Sequence, residues 1–323
     1  MKDKLSSTGF LHEAFRAVLF RAPRKTERPV FDSDLSLEEN IRLQLEWETG
    51  HRVSLMTQGR DAFIFELRKP AHHIARVPIQ GDANAQIVMD KEKAFSDWVR
   101  GEFPDDLNRF AIVESSFKIF LDDPAGRDVH VEFKSNKGNL GHNIEMFSDY
   151  LPKFMARTWL RIIKPVVLVY GKKKIVHGDI KPDNVLVDLT SEDEFSFRVA
   201  DWGGHYDPSD PRPPYEGTPM FQTKETLSDG EPRAADDVRA LQLIFLELYA
   251  GKSLTRIAES CPQAFEQIRH NGKDVPFLKE VPRALCSKIP APLLKIISSP
   301  FENVLELQRA LTEANLALEH YPG

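Results

Sequence analysis

Cysteine is nearly absent from this chain: its 323 residues include two, Cys261 and Cys286. They lack the spacing of metal ligands, and two thiols cannot make a disulfide framework, so a reducing compartment is expected. Long hydrophobic runs are missing too. The longest, around Leu241 to Ala250, is broken by Gln242 and Glu247 and falls short of a membrane span. The first apolar residues alternate with charges, which argues against a secretory leader. A large excess of charge of one sign is also lacking. The formal net charge is −6 and the pI near 6.0, so there is no global attraction to nucleic acid or anionic membrane. No internal repeat or low-complexity run interrupts the chain. What is present is a 41% hydrophobic composition, enough for a sizeable core in one or two domains.

Three textures follow one another. Residues 1–50 form an N-terminal extension, partly helical. Phe10, Leu11, Phe15, Val18 and Leu19 recur at helical spacing, a basic stretch runs from Arg21 to Pro29, and a second helical pattern starts near Ser36 with Glu38 and Glu39 in its first turn. The extension reads as a packing element over a domain surface, with a targeting or partner-binding helix as the alternative. Residues 51–136 are strand-like, with short runs such as RVSLM, AFIFEL, HIARVPI, SFKIFL and VHVEF, and one helix at about Val88 to Val99. Residues 137–323 turn helical, with patterns at Tyr150 to Tyr170 and Ala234 to Ala250 and two or three more helices after them. The expected fold is α+β and two-lobed: a small antiparallel sheet with one helix, then a larger helical lobe. A cleft between such lobes is the usual place for a ligand.

The densest chemistry lies in IVHGDIKPDNVLV, Ile175 to Val187, which reads as strand, loop, strand. Its loop brings a histidine, two aspartates, a lysine and an asparagine together. Phosphoryl transfer needs such parts: a carboxylate to orient a hydroxyl and take its proton, a cation to offset moving charge, and an amide oxygen for magnesium. Further on, in VADWGG, Asp201 follows a strand and precedes two glycines, where the backbone can turn sharply and aim the carboxylate at metal.

HGDIKPDN followed by DWG resembles the catalytic loop and metal-binding motif of eukaryotic-like serine/threonine protein kinases. The resemblance covers about residues 51–315. It implies that Asp179 is the catalytic base, Lys181 the charge-stabilising lysine of the serine/threonine class, and Asn184 and Asp201 the magnesium ligands. His177 is then a structural residue of the loop. GTPMFQTKE, Gly217 to Glu225, resembles the end of an activation segment, which in the family reads like GTPxYxAPE. Thr218 would bridge Asp179 and Lys181, and Glu225 would stand as the segment's anchor, although Thr223 and Lys224 replace the alanine and proline before it. ADDVRALQLIFLELYAGKSL resembles the central helix of the large lobe, with Asp237 holding the catalytic-loop backbone.

The nucleotide side departs further from the pattern. Thr57, Gly59 and Ala62 occupy the three glycine positions of a phosphate-cradling loop, and the middle glycine alone remains. Arg76 stands where the family has a lysine on the third strand. It keeps the charge but is longer and planar. Lys69 is the alternative cation. Glu92 is the partner glutamate on the small-lobe helix, with Asp90 close to it and Phe95, Trp98 and Val99 on its apolar face. Gly178 replaces the arginine that in the family couples activity to phosphorylation of the activation loop, and Trp202 replaces a phenylalanine.

The expectation is therefore an ATP- and Mg2+-dependent kinase acting on serine or threonine hydroxyls of a protein substrate. It would bind no nucleic acid, span no membrane and work in the cytoplasm, with delivery into another cell left open. Two rivals stand beside it. HGD is also the reading of aminoglycoside- and choline-type small-molecule kinases. The frayed glycine loop and Arg76 suit a pseudokinase kept as a binding scaffold. Incubation with labelled ATP and magnesium separates the three, by transfer to protein, to small amines or alcohols, or to nothing.

Overall fold

The computed structural model describes residues 29–58, 62–67, 73–79, 83–121, 126–133, 135, 137–147, 152–189, 195–210, 217–260 and 289–319. The helical pattern at Phe10 to Leu19, the loop residue Gly59, Lys69 and both cysteines lie outside them. The chain divides into two compact units, Met1–Leu107 with Ala111–Asn136, and Asn108–Phe110 with Lys137–Gly323. Among the described residues no helix is long and apolar enough to cross a membrane.

The first unit begins with helix α1, Leu37–Thr49. Its start is set by Ser36, whose hydroxyl accepts from the Glu39 amide, and its end by Gly50 in the left-handed region at φ 68°. Five antiparallel strands follow in sheet order β1 (Val53–Gln58), β2 (Ala62–Leu67), β3 (His73–Pro78), β5 (Arg127–Phe133), β4 (Val113–Ile119). Helix α2, Ala83–Glu102, connects β3 to β4 and is longer at both ends than the expected Val88 to Val99. Alternation along the strands gives the sheet two different faces. On one face Phe63, Phe65, Ala75, Val77, Val129 and Val131 form a core with Ile41 and Leu45 of α1. The part of the N-terminal extension carrying α1 is thus a packed part of this unit. The opposite face carries Ile74 and Arg76 of β3 beside Glu132 and His130 of β5, which are their cross-strand partners.

The second unit is mainly helical: α3 (Pro152–Lys173), α4 (Lys224–Asp229), α5 (Ala234–Ala250), α6 (Leu254–Ser260), α7 (Ala291–Ser298) and α8 (Val304–Glu319). Its core includes Trp159 of α3 stacked on Phe245 of α5, ring centroids 4.0 Å apart. A two-stranded ribbon, β6 (Val185–Leu189) and β7 (Phe195–Val199), frames the polar segment read from the sequence. That segment is preceded by less strand than expected. Val176 makes only an isolated bridge with Tyr206, because the chain turns away at Gly178, φ 78°. Both units together give the α+β class, an antiparallel sheet plus helices.

Candidate active site

Asp179 is the hub of the second unit's polar segment. Its Oδ1 accepts the Thr218 amide at 2.7 Å and the Thr218 hydroxyl at 2.6 Å. Its Oδ2 accepts Lys181 Nζ at 2.6 Å and Asn184 Nδ2 at 3.1 Å. Lys181 Nζ also donates to Thr218 Oγ1 at 2.9 Å. The expected bridge of Thr218 between Asp179 and Lys181 is therefore present as a closed ring of three side chains. Four donors on one carboxylate fix its orientation.

The backbone under Asp179 is held from behind. Asp237, near the start of α5, accepts the His177 and Gly178 amides on separate oxygens, each at 2.8 Å. Burial pushes the Asp237 carboxyl up to about 7, against the lowering effect of these two donors. His177 is buried, and desolvation holds its imidazole below the ordinary histidine range. Its Nδ1 accepts the Asp179 amide at 3.3 Å, so the proton sits on Nε2, which donates to the Ala200 carbonyl at 2.9 Å. The histidine thereby ties the Asp179 backbone to the residue before Asp201.

Asp201 lies in the left-handed region at φ 63°, one of two described non-glycine residues with positive φ. Such a conformation costs on the order of 1–3 kcal/mol and persists where its surroundings impose it. Here the constraint is the next residue. Trp202 is fully buried, its Nε1 donates to Val199 O at 3.0 Å, and its ring lies 4.5 Å from that of His177 and 6.0 Å from that of Phe110. The indole supplies the bulk expected at this position and a donor that phenylalanine lacks. Among the described residues no group of three or more His, Cys, Asp and Glu side chains can hold a metal ion unaided. Asn184 and Asp201 offer two hard oxygen ligands, the kind magnesium takes when phosphate oxygens and water complete its shell.

In the first unit Arg76 meets two carboxylates. Its NH1 donates to both oxygens of Glu92, at 2.9 and 2.8 Å, and to Glu132 Oε1 at 3.2 Å. Glu92 was expected as a partner; Glu132 was not. The signal was in the sequence, since His130 and Glu132 are polar residues two apart in an otherwise apolar run, VHVEF, and must share a face of the strand. Glu92 is buried, and although desolvation is the largest influence on it, Arg76 and His130 together hold its carboxyl below the usual range. Thr57 pairs with Ile64 just past an irregularity in β1, and Ala62 opens β2 opposite Pro78.

The segment end is tied to α5 through Thr223, whose amide and hydroxyl both donate to Asp236 Oδ1 at 2.8 Å.

Residues 129–306 match the family model described as protein kinase domain, more than half of the chain. No curated protein matched the chain.

Proposed function

The chain belongs to the protein kinase domain family, and from that premise we propose that it transfers the γ-phosphoryl group of ATP to serine or threonine hydroxyls of a protein substrate. Kinase-type phosphotransfer and the general use of ATP and Mg2+ come with the family; the acceptor class is our reading. The observation that carries it is the ring of Asp179, Lys181 and Thr218.

In this reading Asp179 receives the acceptor hydroxyl. Thr218 Oγ1 is the hydroxyl among its donors, so it is the partner that an incoming hydroxyl displaces. Asp179 then orients the acceptor oxygen and takes its proton as the bond to phosphorus forms. Lys181, held beside the same carboxylate, offsets negative charge on the moving phosphoryl group. The Asn184 amide nitrogen is turned to Asp179, which leaves its amide oxygen, with the Asp201 carboxylate, to hold magnesium. When bound, that ion would neutralise charge on the phosphate oxygens. Arg76, kept in place by Glu92, is assigned to the ATP phosphates, with Thr57, Gly59 and Ala62 on the loop that covers them. The scarcity of cysteine supports a cytoplasmic location.

The test is incubation of the full chain with ATP, magnesium and a generic basic protein, followed by mass spectrometric mapping of phosphosites. Phosphoserine or phosphothreonine is expected. Phosphotyrosine alone, or transfer only to small amines or alcohols, would overturn the acceptor assignment, and no transfer at all would favour a pseudokinase.

A further inference from the structure

The stretch from Gly217 to Thr223 is pinned at three points. Gly217 lies so close to the catalytic loop that a Cβ on it would come within 2.6 Å of the Gly178 carbonyl oxygen. Thr218 sits on Asp179. One 3-10 turn later, Pro219–Phe221, the chain reaches Thr223 and Asp236.

Asp236 is 1% exposed and accepts four donors. Oδ1 takes the Thr223 amide and hydroxyl, both at 2.8 Å. Oδ2 takes the Thr226 hydroxyl at 2.8 Å and the Arg233 amide at 2.7 Å. A buried carboxylate is strongly destabilising unless its lone pairs are met, so each donor is held tightly in return. The alanine that the family pattern has at the place of Thr223 could supply the amide but no hydroxyl.

The neighbour of Asp236 is Asp237, which holds the His177 and Gly178 amides. Two consecutive residues of one helix thus grip the two strands of chain that meet at Asp179: one grips the loop carrying the carboxylate, the other the segment carrying Thr218. We propose that Asp236 is a positioning residue for phosphoryl acceptance, anchoring through Thr223 and Thr226 the segment that places Thr218 on Asp179. The proposal rests on the kinase reading of the site. It gives the chain a built-in hold on the end of its activation segment, at the place where Gly178 has removed the arginine that would read a phosphate.

Thr223→Val is nearly isosteric and removes the hydroxyl donor; Asp236→Asn removes the charge and keeps an acceptor. Amide hydrogen exchange of Gly217–Phe221 reports directly on the Thr218 amide, which is bonded to Asp179. Both variants should speed that exchange roughly tenfold or more. They should raise the KM for a protein acceptor by a similar factor, while the KM for ATP stays within about twofold. Thr223→Ser should restore both readouts, which a loss of bulk packing would not allow. Unchanged exchange at Thr218 in both folded variants overturns the proposal. If the wild type phosphorylates no protein, the kinase reading fails, and the exchange measurement still decides whether Asp236 holds Thr218.

Discussion

Replacing Arg76 by lysine keeps one positive charge and removes a planar fork. In the structure a single guanidinium nitrogen serves both oxygens of Glu92 and one of Glu132, with the arginine side chain 20% exposed and the carboxylates 3% and 11%. An arginine can give one nitrogen to two carboxylates and still present a rigid edge of further N–H groups; an ammonium has three donors on one atom. Lysine must therefore weaken its hold on Glu92, Glu132 or the phosphates. The loss of one charge-assisted hydrogen bond is about 1.5–3 kcal/mol, or roughly ten- to hundredfold in kcat/KM for ATP. Arg76→Ala is a poorer probe, because it leaves two buried carboxylates without their cation, at about 3–5 kcal/mol of stability. Steady-state kinetics on Arg76→Lys, with thermal melts to verify folding, gives the first number. The double variant Arg76→Lys, Glu132→Gln gives the second. With the second carboxylate neutral, lysine has one anion fewer to satisfy, and part of the loss should return. Wild-type efficiency in Arg76→Lys would refute the idea that the pocket is shaped around a guanidinium. Wild-type efficiency in Arg76→Ala, with Lys69→Ala inactive and folded, would remove Arg76 from the phosphate site altogether.

Asp179→Asn should lower transfer roughly a hundredfold or more and leave nucleotide-induced thermal stabilisation intact, and turnover within a few-fold of wild type would reject the base assignment. ATP should raise the melting temperature far more with magnesium than in excess chelator, since Asn184 and Asp201 alone bind the ion weakly; equal shifts would reject the metal assignment. Phosphatase-treated protein should keep its activity, and loss on dephosphorylation, restored by phosphate within His205 to Glu216, would count against the built-in anchor. Glu247 is buried, and burial first, then the Asp183 charge, raises its carboxyl to about 7. A raised folded-state pKa gives stability present at low pH and lost as pH rises through 4.5 to about 7, a difference on the order of 3 kcal/mol, so Glu247→Gln should melt higher than wild type at pH 8 and alike near pH 5. A melting difference independent of pH would sink that reasoning.

The parts legible in the sequence were local. Asp179, Lys181 and Asn184 lie within six residues of one another, and Pro182 holds the turn between them, so their proximity needs little help from the rest of the fold. Helix Ala234–Ala250 could be read because its apolar periodicity is strong and Gly251 stops it at φ 61°. Parts that depend on long-range register were not legible. Glu132 reaches Arg76 across 56 residues, and only the pairing of Arg76 with His130 and of Ile74 with Glu132 puts all of them on one face. One strand slipped by one residue would send the same side chains into the apolar core. The hold of Thr223 on α5 was not legible for a related reason. Nothing in the sequence marks Thr223 as a partner of α5; that its amide and hydroxyl reach Asp236 is a matter of how one 3-10 turn delivers the chain.

Gly178 departs from the family pattern at a point where the backbone takes a left-handed turn. Its φ of 78° is a conformation that an L side chain adopts only with strain. Gly217 approaches the Gly178 carbonyl so closely that any side chain there would collide with Gly178 O and with Gln222. Two glycines therefore face each other where the acceptor segment crosses the catalytic loop. An arginine at Gly178 would need a different backbone; a side chain at Gly217 would push Thr218 off Asp179. The two positions are therefore coupled through backbone contact, Gly217 keeping the residue of the family pattern and Gly178 departing from it. In the family pattern an arginine and a phosphate hold the segment; in this chain the hold we propose is a backbone contact and a buried carboxylate. The phosphatase experiment decides whether that hold suffices without a phosphate.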